Sequence, residues 1–195
     1  DVPFFVYLHV FDPHSPYEPR PPWNTLWADP ARREEHLRQE ETLKKFIASA
    51  FLAQRGMATR DELKAAGSDP EEYLRYCKDW YDGSIRGMDS ELARLVERLR
   101  GLGVAERTLI AFFADHGEEF HDHGRMWHGQ SIYGEMIRVP LILCGPRRIP
   151  KSARLEFFQN ATALTFAGNS QASCDSITIL NCTQLPIVAS LIANP

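Results

Sequence analysis

The stretch Thr108-Leu-Ile-Ala-Phe-Phe-Ala-Asp-His-Gly-Glu-Glu-Phe-His-Asp-His-Gly-Arg-Met-Trp-His128 decides how this chain is read. An apolar run, Leu109 to Ala114, stops at Asp115-His116-Gly117, and His121, His123 and His128 follow among carboxylates. Such a run reads as a strand buried in a sheet. A strand that ends by presenting Asp and His delivers them at the sheet's carboxyl edge, where α/β sheets bind ligands. Gly117 permits the turn that follows.

Upstream, Phe4-Phe-Val-Tyr-Leu-His-Val-Phe11 is a second run of this kind, expected to be a strand buried on both faces. It gives way to Asp12-Pro-His-Ser-Pro-Tyr17 and then to Pro19, Pro21 and Pro22. Prolines at this density exclude helix and sheet, so His14 is expected on a stiff loop at the strand's end. From its own neighbours alone, His14 reads equally as an incidental histidine of a surface turn. Downstream, Ser131 to Ile137 forms a short helical or irregular connection to Arg138-Val-Pro-Leu-Ile-Leu-Cys144. That is a third buried strand, closed by Gly145-Pro146.

The intervening residues read as helices. From Ala31 to about Arg55, Leu37, Phe46, Ile47, Ala50 and Phe51 recur at helical spacing among charges that suit a solvated face. Thr59 or Asp61 starts a short helix that stops at Gly67. The strongest helix runs from Asp69-Pro70 to about Arg100, with Asp69 as N-cap, Pro70 as first residue and Gly101 as stop. Tyr73, Tyr76, Cys77, Trp80, Met88, Leu92, Leu95, Val96 and Leu99 form its apolar stripe. Gly83 and Gly87 allow a kink or the close approach of another backbone. Strand, helix, strand, short connection, strand predicts an α/β domain with a mostly parallel sheet flanked by helices.

The 195 residues suit one domain, and 44% hydrophobic and 25% charged residues are ordinary for a globular protein. A formal net charge of −4 gives no reason to expect nucleic acid as partner, and no run is long enough to span a bilayer. The chain opens on Asp1 and almost at once on a strand, as expected of a piece of something longer. Cys77 and Cys144 read as buried thiols, while Cys174 and Cys182 allow a disulfide in an oxidising compartment. Residues 1–150 carry the folded pattern. Residues 151–195 form an atypical polar tail, with Asp175 the sole formal charge from Phe157 onward, and a frameshift or an unrelated terminus is one explanation. Asn160-Ala-Thr and Asn181-Cys-Thr match glycosylation acceptors, a pattern common by chance.

The Asp115 carboxylate suits a hard divalent cation, Ca²⁺ or Mg²⁺. His116 serves either as a ligand to a softer metal or as a donor to an anion. A rival arrangement has His121, His123 and His128 binding Zn²⁺, and a third possibility has His121 and His123 simply facing solvent.

Asp12-Pro-His-Ser-Pro-Tyr17, Ala114-Asp-His-Gly-Glu-Glu-Phe120, His123-Gly124, His128-Gly129, Tyr133 and Arg138-Val-Pro-Leu-Ile-Leu143, in that order, resemble the sulfatase family of the alkaline phosphatase superfamily. The similarity covers about residues 3 to 150. Three positions depart from the family pattern: Ala114 in place of Ser, His121 in place of Gly, and Gly134 in place of Glu. The resemblance implies an incomplete alkaline phosphatase-like α/β fold and hydrolysis of sulfate monoesters. It implies metal ligation of Ca²⁺ or Mg²⁺, with Zn²⁺ a weaker candidate, by Asp115 and His116. It further implies catalytic contact with the sulfate or leaving oxygen by His14 and His128. A sulfated small molecule or glycan would be the partner, in a periplasmic, extracellular or lysosomal setting. The family's formylglycine, made from Cys or Ser in a C-x-P-x-R segment, is expected upstream of the matched region. Cys144-Gly-Pro-Arg-Arg148 fits that pattern literally but follows the metal loop, with Arg147 where a small residue belongs. Two alternatives stay open. One is a metal-dependent phosphodiester or phosphonate hydrolase or phosphoethanolamine transferase of the same superfamily; the other is a truncated fragment that is inactive by itself.

Overall fold

The computed structural model describes residues 3–54 and 56–145 and the strand segments 163–165, 178–180 and 188–193. In chain order these form β1 (Phe4–His9), α1 (Arg33–Leu43), α2 (Ala50–Ala53), α3 (Arg60–Ala65), α4 (Pro70–Gly101), β2 (Thr108–Phe113), β3 (Glu119–Phe120), β4 (Met126–Trp127), α5 (Gly134–Ile137), β5 (Leu141–Cys144), β6 (Ala163–Thr165), β7 (Thr178–Leu180) and β8 (Val188–Ala193).

The helices form where the local chemistry directs. The Asp69 side chain accepts from the Glu71 and Glu72 amides, Pro70 opens α4, and acidic first-turn and basic last-turn residues match the helix dipole. The helix continues through Gly101, and the left-handed turn falls on Gly103 instead, at φ +69°. At Gly83 an added Cβ would lie 2.9 Å from the Trp23 carbonyl and 3.0 Å from Pro19, so this glycine admits the proline loop without interrupting the helix. Thr59, not Asp61, caps α3, because Thr59 and Glu62 close a reciprocal capping box.

The first helical segment differs from its expected stripe. The chain leaves the helix after Leu43, and the buried residues are His36, Leu43 and Ile47, while Leu37, Phe46 and Phe51 are exposed. Spacing marked the wrong face because His36 belongs to the core: its ring stacks on Tyr73 and Tyr76, and its Nε2 lies 3.7 Å from the Cys77 sulfur. The core therefore sits among α1, α3, α4 and the β3–β4 hairpin, with Leu43, Leu63, Tyr73, Trp80, Phe120 and Met126 at its centre.

The four-stranded sheet has the order β1-β8-β2-β5, and each adjacent pair is antiparallel. A mostly parallel sheet is thus not what the described pairs form. Two causes are visible. β2 and β5 are joined by a connection that returns the chain directly, and β8, from the polar tail, lies between β1 and β2. Since β1 and β2 are both antiparallel to β8, they run in the same direction. His9 and Phe113 both pair with Val188, so the two strands end at one edge.

β1 is exposed along its whole length, with Phe5 at 64%, where burial on both faces was expected. Its composition is that of a doubly covered strand, and among the described residues no layer covers it. Cys144 likewise is exposed, because β5 is an edge strand with alternating burial. Cys77 is buried as expected, and burial pushes its thiol well above the usual range. Cys174, Cys182 and both glycosylation patterns lie outside the described residues. No described helix is long and apolar enough to cross a membrane.

Candidate active site

Two loops leave the common edge of β1 and β2. From β1, the turn closed by the His14 amide on the Phe11 carbonyl carries His14 inward. From β2, Ala114 bonds to the Pro140 carbonyl, and the chain then turns at Asp115-His116-Gly117. Gly117 is required here, since an added Cβ would fall 1.8 Å from the Glu135 carbonyl oxygen. The third contribution comes from the end of β4. Trp127 adopts φ +76°, a conformation that costs a bulky residue, and the chain turns there into His128.

These segments bring three imidazoles together. The His116 and His128 rings stack at 4.0 Å, His14 meets His128 at 4.9 Å, and His14 lies 6.5 Å from His116. In each ring Nδ1 faces an acceptor: the Ser15 carbonyl at 2.6 Å for His14, the Gly117 carbonyl at 2.8 Å for His116, and Glu118 Oε1 at 3.0 Å for His128. Oxygen acceptors of this kind place the proton on Nδ1, so all three Nε2 atoms are left to bind a ligand. Asp115 Oδ1 accepts from the His116 amide at 3.0 Å and lies 3.7 Å from His116 Nε2. The four residues singled out in the sequence therefore share one place.

Sequence reading missed Glu118 and Tyr17. The Glu118 side chain is 5% exposed and accepts from both His128 Nδ1 and the Tyr17 hydroxyl, the latter at 3.0 Å. Burial, and secondly the Glu118 charge, hold the Tyr17 pKa far above its usual value, so the hydroxyl stays a donor. The available signal was a Glu and a Tyr within quoted motifs, but their pairing spans 101 residues. Glu118→Gln is expected to loosen the His128 ring, read as faster solvent exchange of its Nδ1 proton in ¹⁵N-edited spectra.

His121, His123 and His128 do not converge, which removes the three-histidine zinc arrangement. His121 is buried, with Nε2 2.6 Å from the Ala58 carbonyl. Its φ of +63° explains why glycine would suit the position. It does not face solvent, because the β3–β4 turn folds it against the Ala58 backbone ahead of α3. His123 is exposed, stacks on Tyr133 at 3.6 Å and pairs with Glu135. Among the described residues, Glu119, His123 and Glu135 are the one group of three donor atoms within 4.8 Å. Glu119 is buried there as a loop staple, accepting from the His123 and Arg125 amides at 3.0 Å.

Desolvation lowers the His121 pKa from its ordinary 6.5. The unfolded chain then binds the proton more readily, so stability from neutral His121 is present above about pH 6.5 and declines as pH falls toward the lowered folded value. Urea midpoints measured at pH 5 and pH 7.5 should differ less in His121→Gln than in the wild type.

Asp115 and His116 offer one hard anionic oxygen and one imidazole, with the Asp115 side chain 16% exposed. This donor pair fits a divalent cation as part of a shell, since Ca²⁺ takes six or more oxygens. Cys144 does not fit a role at this edge. It pairs with Ile110, about 10 Å along β2 from the Phe113 end.

Comparison with known proteins places the chain among sulfatases in sequence. The chain is 34% identical over 82 residues to mouse iduronate 2-sulfatase, covering 42% of this chain and 15% of that protein. It is 27% identical over 148 residues to choline-sulfatase of Rhizobium meliloti (strain 1021), covering 76% and 28%. It is 26% identical over 163 residues to an arylsulfatase of Clostridium perfringens, covering 83% and 32%. The chain thus spans less than a third of the length of each of these relatives. No solved structure matches it. The sulfatase family model matches residues 1–168, taking in both loops, the β4 end and all four site residues, and on that match the chain belongs to the sulfatase family.

Proposed function

We propose that the parent protein, of which this chain supplies part of the site, hydrolyses sulfate monoesters, ROSO₃⁻ + H₂O → ROH + SO₄²⁻ + H⁺, with a sulfated small molecule or glycan as substrate. The observation that carries this reading is the convergence of His14, His116 and His128, each with Nδ1 held by an acceptor, beside Asp115, whose Oδ1 lies 3.7 Å from His116 Nε2. Sulfuryl transfer, like phosphoryl transfer, gathers charge on peripheral and departing oxygens, so positioned donors and cations are what accelerate it.

Protonated on both ring nitrogens, His14 and His128 present Nε2–H to the ester: His14 donates to a peripheral sulfate oxygen, and His128 gives its proton to the departing alkoxide. Glu118 accepts from His128 Nδ1 and fixes its ring, and Tyr17 donates to Glu118 and fixes it in turn. Asp115 and His116 would hold Ca²⁺ (Mg²⁺ next, Zn²⁺ last), which neutralises charge on sulfate oxygens. The formylglycine that family membership implies would supply the nucleophilic oxygen. The same reading makes residues 1–150 part of an alkaline phosphatase-like domain whose sheet is mostly parallel. It is supported by the common direction of β1 and β2 and by the site at their carboxyl ends.

Hydrolysis of 4-nitrophenyl sulfate and of bis(4-nitrophenyl) phosphate by the parent protein tests this directly. Sulfate release dominating, and lost with EDTA, is the expected result. A preference for the phosphodiester would overturn the reading.

A further inference from the structure

Two buried groups on facing helices take no part in the site at the β1–β2 edge: His36 of α1 and Cys77 of α4. His36 and Glu40 stand four residues apart on α1, so their side chains share one face of that helix. The His36 ring stacks on Tyr76 at 4.2 Å and on Tyr73 at 4.6 Å, which fixes the direction of its Nε2. That nitrogen lies 3.7 Å from Cys77 Sγ and 3.4 Å from Glu40 Oε1. A tetrahedral Zn²⁺ at ordinary bond lengths sets its S···N and N···O ligand separations at about 3.6 Å and about 3.4 Å. Glu40 is the donor that must move, because the three atoms do not yet fall within 4.8 Å of one another, and its side chain is 35% exposed and can swing. All three residues line a cavity of about 230 Å³ between α1 and α4, roomy enough to admit an ion with its water. The two cationic residues of that lining are bonded elsewhere, Arg33 to Glu18 and Lys44 to Glu41.

We propose that Cys77, His36 and Glu40 form a binding site for one borderline-soft divalent cation, Zn²⁺ above all, separate from the Asp115 and His116 pair. Thiolate, imidazole and carboxylate are the donors Zn²⁺ takes, and three protein ligands leave a fourth position for water from the cavity. The hard cations suited to Asp115 prefer oxygen and do not compete for the sulfur. Binding breaks the Cys77 S–H bond, forms S–Zn and gives the proton to water, and thiolate and carboxylate together balance the ion's two charges. A thiol hydrogen bond to the ring would suit the same 3.7 Å contact, but only an ion requires Glu40. The bridge joins α1 to α4, so the bound ion stabilises the folded chain.

The test titrates the full chain, with its thiols reduced, with Co²⁺ as spectroscopic probe and then with Zn²⁺. An equimolar amount of Co²⁺ is expected to give the thiolate-to-metal charge-transfer absorption, which Zn²⁺ then abolishes, and Zn²⁺ should raise the melting temperature. Cys77→Ser should lose the absorption, whereas Cys144→Ser should keep it. Glu40→Gln should weaken Co²⁺ binding at least about tenfold, since even an outer partner of a metal ligand is worth that much. This substitution lies on a partly exposed side chain, so it keeps the test open should Cys77→Ser fail to fold. Absence of the absorption, its survival in Cys77→Ser, or Co²⁺ binding indifferent to Glu40→Gln would overturn the proposal.

Discussion

Asp115→Asn is expected to lower kcat/KM for a sulfate monoester by about three orders of magnitude, the scale of removing one fixed charge from a transition-state site. Asparagine keeps the shape and still accepts from the His116 amide, which Asp115 Oδ1 now does at 3.0 Å, so the turn should persist. What disappears is the anionic oxygen that suits a hard cation. Kinetics across a Ca²⁺ series separate the causes. Rescue at high Ca²⁺ identifies lost affinity, and an unrescued loss identifies an altered charge at the reacting oxygens. An unchanged melting temperature would confirm that the fold was spared.

His128→Ala is expected to cost about 10²–10⁴-fold, the range for a positioned proton donor. The size should depend on the leaving group. An alkyl sulfate needs a proton on its departing oxygen and should lose the most, whereas 4-nitrophenyl sulfate should lose much less. His14→Ala, if His14 binds a peripheral oxygen, should lose activity to a similar extent for both esters. His128→Ala also removes the imidazole partner of Glu118, a carboxylate 5% exposed, leaving the Tyr17 hydroxyl as its described donor. Some loss of stability should therefore accompany the loss of rate. His128→Gln, which can still donate to Glu118, keeps the two effects apart.

The site was more legible in the sequence than the fold around it. Asp115, His116 and His14 follow apolar strands, and strands that run the same way put their ends together; that much follows from local pattern and chain direction. His128 was accessible through its place in an ordered series of motifs. Glu118 and Tyr17 were not, because a contact across 101 residues leaves no periodicity. Burial was misjudged where it depends on a distant layer: β1 has the composition of a covered strand but is exposed among the described residues. Strand pairing was not legible for the same reason. A β-strand's own residues do not name its neighbour, and β8, from a segment with no clear period, takes the place between β1 and β2. His36 shows the complementary error, since a histidine on an apolar face is core here while the leucine next to it is exposed.

The most direct test is the ¹⁵N spectrum of the histidine side chains during titration with Ca²⁺ and then inorganic sulfate. His14, His116 and His128 should all show the Nδ1–H tautomer, with Nε2 of His116 shifting on Ca²⁺ and Nε2 of His14 and His128 on sulfate. His36 and His121, held in the core, should not respond. Shifts confined to His123, or none at the three converging rings, would contradict a cation-and-sulfate site at the end of β1 and β2.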